Sequence, residues 1–525
     1  MKRKYIILAS VAMLASPALA QETYQSAALA TENLNGTARY VGMGGAMEAL
    51  GADISTISSN PAGIGLFRKS QASVSGGVVF QDDVNRHPAL GMNFTKGDKT
   101  NASFDQIGLV WAIRTGQKSF LNLAFNYHKS ANFDQIITAG APLSKASQNK
   151  LTAMKDRAIA NGYVSKYSWS GIDDNYRAVM NTTTDGNSNT VMDYLDGTGY
   201  AFGQYRHGYI GEYDFNVSGN INNRVYLGVT VGIHDVNYRG DSWYAEDLEG
   251  NKFSDAYEWV DIDGSGFDVK AGAIFRPMEY SPFRVGVYIN SPVMYDLTIH
   301  SRGALAMTYY DESGQPVTVQ PKGGDATAGY DFRLNTPWRF GVSVGHTIDN
   351  ILALGLTYEY SDYSAIDNRF DDGVDYYGDN TSSSDRIMND NTDYSLKGVS
   401  TLKVGLEAKP VKGLSVRAGY NYVSPKYRQR GYRDGTIPSP TEDMRYDMST
   451  DYTNWKSTNR LTFGLGYAFK NFNIDLAYQY TTTDGVFHPF MDYYDDYNSE
   501  YNNVATASKV NFKRNQLLMT LGYRF

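Results

Sequence analysis

Apolar residues alternate with small or polar ones over long stretches of this 525-residue chain. Val225, Leu227, Val229, Val231 and Ile233 interleave with Tyr226, Gly228, Thr230, Gly232 and His234. The same pattern returns in Leu352–Tyr360, Leu461–Phe469 and Phe472–Tyr480. A period of two puts successive side chains on opposite faces of a strand, so each segment predicts a strand with one apolar and one small or polar face. The last nine residues do this too. Leu517, Met519, Leu521, Tyr523 and Phe525 point one way, and Thr520, Gly522 and Arg524 the other. In a soluble sheet such a strand would be an open edge that invites foreign pairing. In a closed membrane barrel it pairs with the first strand and no edge remains.

The connections between these strands fall into two kinds. Short ones, such as Arg114-Thr115-Gly116, residues 220–223, Glu279-Tyr280-Ser281-Pro282, residues 348–350, residues 410–413 and Lys470-Asn471, predict tight turns. They alternate with long ones at roughly 83–100, 131–205, 239–264, 301–330, 363–398, 428–456 and 484–510. Short periplasmic turns and long outer loops are the pattern of outer-membrane barrels, and the spacing predicts about fourteen antiparallel strands. The longest loop predicts a helix over about 143–160, with Leu151, Met154 and Ala158 on one face. Acidic, tyrosine-rich runs such as 371–377 and 492–496 read as solvated loop surface.

Composition narrows the class. Mean hydropathy is −0.43, and no stretch after the leader approaches the roughly 20 apolar residues of a spanning helix. Only alternate residues of a barrel strand need be apolar, so a polar average and a membrane wall are compatible. Residues 1–20 read as a secretory signal: Lys2, Arg3 and Lys4, an apolar run to Leu14, then Ala18-Leu19-Ala20. Without that leader the chain carries 45 basic against 56 acidic residues, a net charge of −11, which argues against a nucleic-acid partner. There is no cysteine, so disulfides and thiolate metal sites are excluded. The seven histidines show no metal-ligand spacing, although His128 and His234 fall on the inward face. Gly341-Val342-Ser343-Val344-Gly345 matches a nucleophile motif but lies mid-strand, where no strand-to-helix elbow can form. We read no enzyme, cofactor or metal site here.

Residues 21–69 do not alternate. The series from Gly42 to Leu66 includes Gly44-Gly45-Ala46, Ala52-Asp53 and Asn60-Pro61-Ala62-Gly63. It predicts short helices at about 43–51 and 53–58, the second closed by the Asn60-Pro61 turn. A barrel of fourteen strands has a lumen to fill, so this segment predicts a plug, or hatch, ahead of a barrel over 70–525. The motifs resemble those of the outer-membrane long-chain fatty-acid transporter family (FadL type). That resemblance implies an all-β transmembrane outer-membrane antiparallel β-barrel with a small N-terminal helical plug in its lumen, located in a Gram-negative outer membrane. It also implies passive uptake of hydrophobic small molecules, foremost long-chain fatty acids, and a gating role for Asn60, Pro61, Ala62 and Gly63. The family often has an inward kink in its third strand that opens the wall. Here that strand, Phe120 to His128, contains no Gly or Pro.

Projecting the alternation inward places Glu212, Asp214, Asp268, Lys270, Arg284, Arg339, Glu359, Lys403, Glu407, Arg417 and Asp475 in the lumen. Arg284, Arg339 and Arg417 are the candidates for holding a carboxylate, because a guanidinium fork matches its geometry. The ligand is expected in an apolar pocket above the plug. The expected partners are this ligand, membrane lipid and the barrel-assembly machinery, which would read the terminal Phe525, with the chain as a monomer. Two other readings remain: uptake of haem or aromatic compounds, and a non-transporting barrel that anchors secreted proteins.

Overall fold

The computed structural model describes residues 22–82, 96–322, 326–349, 351–438, 448–496 and 498–525; the leader read from the sequence lies outside these. Fourteen staves close a barrel. They are β1 (Gln71–Asp82), β2 (Thr100–Arg114), β3 (Phe120–Asn132), β4 (Gly197–Ile221), β5 (Val225–Leu248), β6 (Lys252–Phe275) and β7 (Arg284–Asn290 with Met294–Tyr310). The rest are β8 (Ala326–Asn335 with Arg339–Ile348), β9 (Leu352–Asp362), β10 (Gly398–Ala408), β11 (Leu414–Val423), β12 (Tyr452–Phe469), β13 (Phe472–His488) and β14 (Ser508–Arg524). Each stave pairs antiparallel with its sequence neighbour, and β14 closes on β1 from Gln71↔Arg524 to Asp82↔Lys513.

The alternation determines which face meets lipid. Leu461, Phe463, Leu465, Tyr467 and Phe469 on β12, like Phe472, Ile474 and Leu476 on β13, stand exposed, while Thr462, Ala477 and Thr520 are buried in the lumen. A monomer in water would not expose so large an apolar belt; on a closed barrel it is the surface an outer membrane covers. Ser343 sits mid-strand on β8, facing inward.

Several loops foreseen from the sequence are strand instead. β4, β5 and β6 run for 25, 24 and 24 residues, well beyond the roughly 10 needed to cross a bilayer. The connection expected at 239–264 is mostly a hairpin closing at Glu249-Gly250-Asn251. Outside the membrane both faces of a strand are wet or under other loops, so the apolar rhythm lapses while backbone pairing continues. The helix foreseen over 143–160 is α3 (Gln148–Ala160), because Gln135–Ala146 continues β3 outward against β4. Leu151, Met154 and Ala158 are buried on it.

Residues 22–67 fill the lumen as two helices, α1 (Thr23–Leu29) and α2 (Ala38–Gly42), and two 3-10 turns (Ile54–Ser58, Pro61–Leu66). The helix expected at 43–51 is displaced to 38–42. Gly44, Gly45, Gly51 and Ala52 all adopt positive φ, which breaks a right-handed helix into turns. Asn60 does not end a helix but caps the following turn, its Oδ1 accepting from Ala62 N at 3.2 Å. The plug seats against glycines of the wall. A Cβ at Gly355, Gly405 or Gly419 would overlap the plug backbone at Ala46, Met43 and Gly44 respectively. Glycine in these strands is where a second backbone comes close.

Candidate functional site

Two cavities lie on either side of the plug. The outer one, about 290 Å³, is lined by plug residues Thr31–Asn35, Tyr40, Ser58 and Ser59 and by wall residues of staves β3 and β8–β14. The periplasmic one, about 420 Å³, is lined by Thr37, Arg39, Ala52, Asp53, Leu66 and Phe67 and the lower wall. The partition between them is therefore the short stretch from Leu34 to Tyr40 and what ties it to Asp53. Thr37 Oγ1 donates to Asp53 at 2.8 and 3.0 Å, Ser55 N donates to Asp53 Oδ1 at 3.0 Å, and Thr37 N donates to Ser55 Oγ at 2.8 Å.

Two ion-pair networks bolt the plug to the wall. In the first, Glu407 on β10 accepts from Arg39 Nε (3.0 Å) and Arg417 Nε (2.7 Å), and Arg417 Nη1 reaches Asp475 at 2.6 Å. In the second, Glu48 accepts from Lys403 Nζ (2.9 Å), Thr357 Oγ1 (2.7 Å) and Tyr40 (3.2 Å). Lys403 also lies 3.6 Å from Glu359, and Arg339 joins Glu359 to the plug's Glu32. Such pairs withstand burial because each charge has its counter-charge and its hydrogen bonds.

Two of the three candidate arginines, Arg339 and Arg417, belong to these networks. Arg339 is held by Glu32 and Glu359, Arg417 by Glu407 and Asp475, and Arg284 donates to Leu50 O at 2.8 Å. Arg284 has no anionic partner within ion-pair distance among the described residues, but it lines neither cavity. Nor is the outer cavity the apolar pocket expected. Seven cations line it (Lys129, Arg339, Lys403, Lys426, Lys456, Arg460 and Arg514) against two carboxylates, Glu32 and Glu359. Among the described residues, Lys426, Arg460 and Arg514 have no anionic partner within ion-pair distance. Lys426 Nζ donates to Ala27 O (3.2 Å) and Thr31, Arg460 to Asn421 Oδ1 (2.8 Å), and Arg514 to Asn132 O (3.1 Å). Leu34, Tyr363, Val399, Val423, Trp455 and Phe512 supply an apolar wall to the same cavity. Parity could have found two of the cations, since Arg460 shares the inward face of Thr462 and Arg514 that of Gln516. Lys426 lies beyond a strand end, where parity says nothing.

Asn60, Pro61, Ala62 and Gly63 line neither cavity. Asn60 Nδ2 donates to Glu48 O (3.2 Å), Ser218 Oγ donates to Pro61 O (2.8 Å), and Asn60 packs on Gly272 of β6. A Cβ at Gly272 would overlap Asn60 Oδ1 and stand 3.1 Å from Pro61 Cδ. Gly272→Ala is thus expected to cost about 1–3 kcal/mol of plug seating by overpacking, read as faster proteolysis within residues 22–67 while the barrel stays folded. Equal proteolysis would mean that Asn60 is not an anchor.

The wall has a seam. Pairing between β2 and β3 stops at Gln106↔His128, although β2 continues upward along β1 and β3 along β4, with a bulge after Lys129. The plug takes β2's place there. Asn33 N donates to Ser130 O (2.8 Å), Asn132 N to Asn33 Oδ1 (2.8 Å), and Asn35 Nδ2 to Lys129 O (3.0 Å). Neither Gly nor Pro makes this opening; a bulge and a shortened ladder do. A second interruption, at Ser291-Pro292-Val293 and Thr336-Pro337-Trp338, places two prolines opposite one another in the β7–β8 register, where neither can donate to the ladder.

No family model matches the chain, and neither does any curated protein. Solved structures do resemble it. A Pseudomonas aeruginosa FadL homologue is 13% identical over 97% of this chain and 100% of that one, at a TM-score of 0.48. The CymD monoaromatic hydrocarbon channel is 11% identical (94% and 99% covered, TM-score 0.47), and the Pseudomonas putida toluene transporter TodX 12% (94% and 100%, TM-score 0.47). Likenesses at this level carry no argument about function. The chain's own features are a closed barrel with an apolar outer belt, a plug bolted to the wall, and a basic cavity with an apolar wall above it.

Proposed function

We propose that this barrel is a passive outer-membrane channel for hydrophobic molecules that end in an anionic group, with long-chain fatty acids as the substrate class. One observation carries the reading: the outer cavity sets Lys426, Arg460 and Arg514, free of anionic partners, beside Trp455, Tyr363 and Phe512. A carboxylate satisfies cations that the chain leaves uncompensated, and a hydrocarbon tail lies on the aromatic wall. The head-group role foreseen for Arg284, Arg339 and Arg417 passes to these three residues. The ligand is held above the partition and released when the stretch from Leu34 to Tyr40 gives way, toward the periplasmic cavity. Asn33 and Asn35 also seal the seam, so the same movement frees the β3 edge. The segment around Asn60 acts as the fixed end on which the plug turns. Nothing in this arrangement couples to an energy source, so flow follows the concentration gradient.

The test is uptake of a labelled long-chain fatty acid by cells carrying the wild-type chain or the Lys426→Met/Arg460→Met variant. A charge-assisted hydrogen bond contributes about 1.5–3 kcal/mol, so saturable uptake at low concentration is expected to fall at least about tenfold. Entry of toluene, which has no charge, should be unaffected. Unchanged fatty-acid uptake would sink the head-group assignment. Saturable entry of toluene or haem alone would favour the aromatic or haem reading, and a stoichiometric protein partner on pull-down the anchoring one.

A further inference from the structure

We infer that His128, Glu212 and Asp214 form a binding site for a divalent transition-metal cation of the zinc class, set in the inner wall at the foot of the seam. His128 is the last residue of β3 paired with β2, and it lies directly opposite Glu212 of β4. Asp214 shares Glu212's face two residues along. All three side chains are at least nine-tenths buried, at 7, 1 and 0% exposure. Each nevertheless leaves one polar atom without a hydrogen-bond partner: His128 Nδ1, Glu212 Oε2 and Asp214 Oδ2. The three side chains meet around one ring: Glu212 Oε2 is 3.5 Å from His128 Nε2, Asp214 Oδ2 is 3.7 Å from Nδ1 of the same ring, and one ligand atom from each residue, a single imidazole nitrogen among them, lies within 4.8 Å of the others.

The charge around them points the same way. Lys270 Nζ takes the opposite oxygens, Glu212 Oε1 at 2.6 Å, Asp214 Oδ1 at 3.2 Å and Asp268 Oδ1 at 2.8 Å. One ammonium therefore faces three carboxyl groups, so acidic groups outnumber the fixed cation in this buried set. Buried charge demands a counter-charge. A divalent cation supplies it, with the two carboxylates bridging between ion and ammonium. One imidazole nitrogen and two carboxylate oxygens suit zinc, cobalt or manganese; calcium and magnesium prefer oxygen alone. His128 also lines the outer cavity, so the ion has a way in. Once bound it ties β3 to β4 at the point where β2 lets go, and so stiffens the edge that the plug seals. This site is independent of what the channel transports.

The experiment titrates the purified full-length mature barrel, in detergent and stripped with chelator, with Co²⁺, following the visible bands that report nitrogen ligation. One Co²⁺ per chain is expected, displaced by Zn²⁺. His128→Ala and Asp214→Asn should weaken binding at least about tenfold, while His300→Ala, on an exposed side chain, should not. Heat-modifiable electrophoretic mobility confirms that each variant is folded. The absence of saturable binding to the wild type, or equal binding by His128→Ala, would overturn the site. Loss of binding in His234→Ala with retention in His128→Ala would overturn it too, by moving the ion to the neighbouring trio of Glu212, His234 and Asp268.

Discussion

Replacing Glu407 with alanine is expected to destabilise the plugged barrel by about 3–5 kcal/mol, the usual cost of stranding a buried charge. Glu407 is the centre of a network: Arg39 from the plug and Arg417 from β11 both donate to it, Asp475 takes Arg417 as well, and the half-exposed Lys409 stands 3.9 Å away. Without Glu407 two guanidiniums share one carboxylate, and Arg39 loses its only tie to the wall among the ion pairs described. The Arg39→Met/Glu407→Ala double variant should recover part of the loss, because the remaining Arg417–Asp475 pair is neutral; a double-mutant cycle measures that coupling. Urea unfolding of the reconstituted barrel, followed by tryptophan fluorescence, gives the midpoint shift. An unchanged midpoint in Glu407→Ala would show that this network holds nothing in place.

Asp53→Ala should act on the gate and spare the barrel. Its two oxygens share the one Thr37 hydroxyl proton, and Oδ1 also accepts from Ser55 N; it touches no wall residue in the bonds described. Losing these two bonds, at about 1 kcal/mol each, would raise the population with the partition open by roughly thirtyfold. Planar-bilayer recordings should show frequent openings where the wild type is nearly silent, with the unfolding midpoint little changed. If the recordings stay silent, the barrier between the cavities lies elsewhere. The contrast between the two variants is the point: Glu407 fastens the plug to the wall, and Asp53 fastens the plug to itself.

The barrel, its strand number and its lipid-facing side were legible in the chain alone. A membrane imposes one rule on every stave, an apolar residue at each second position, and Leu461–Phe469 or Leu517–Phe525 obey it whatever their neighbours do. Where lipid ends the rule ends, and so the outward run of β4–β6 reads as loop along the chain. The plug was visible as a stretch that breaks the rhythm, but its helix positions were not, since Gly44, Gly45 and Gly51 take conformations that local propensity does not reveal. Parity could say that Arg284, Arg339 and Arg417 face inward. It could not say that Leu50 O, Glu32 and Glu407 would be waiting for them, or that Lys426, Arg460 and Arg514 would line the outer cavity with no anionic partner among the described residues. Nor could it bring His128, Glu212 and Asp214 together across two staves. Facing is a property of one strand and can be read along it. Partnership across a lumen depends on register and on how the plug lies, and only the closed tertiary structure decides that.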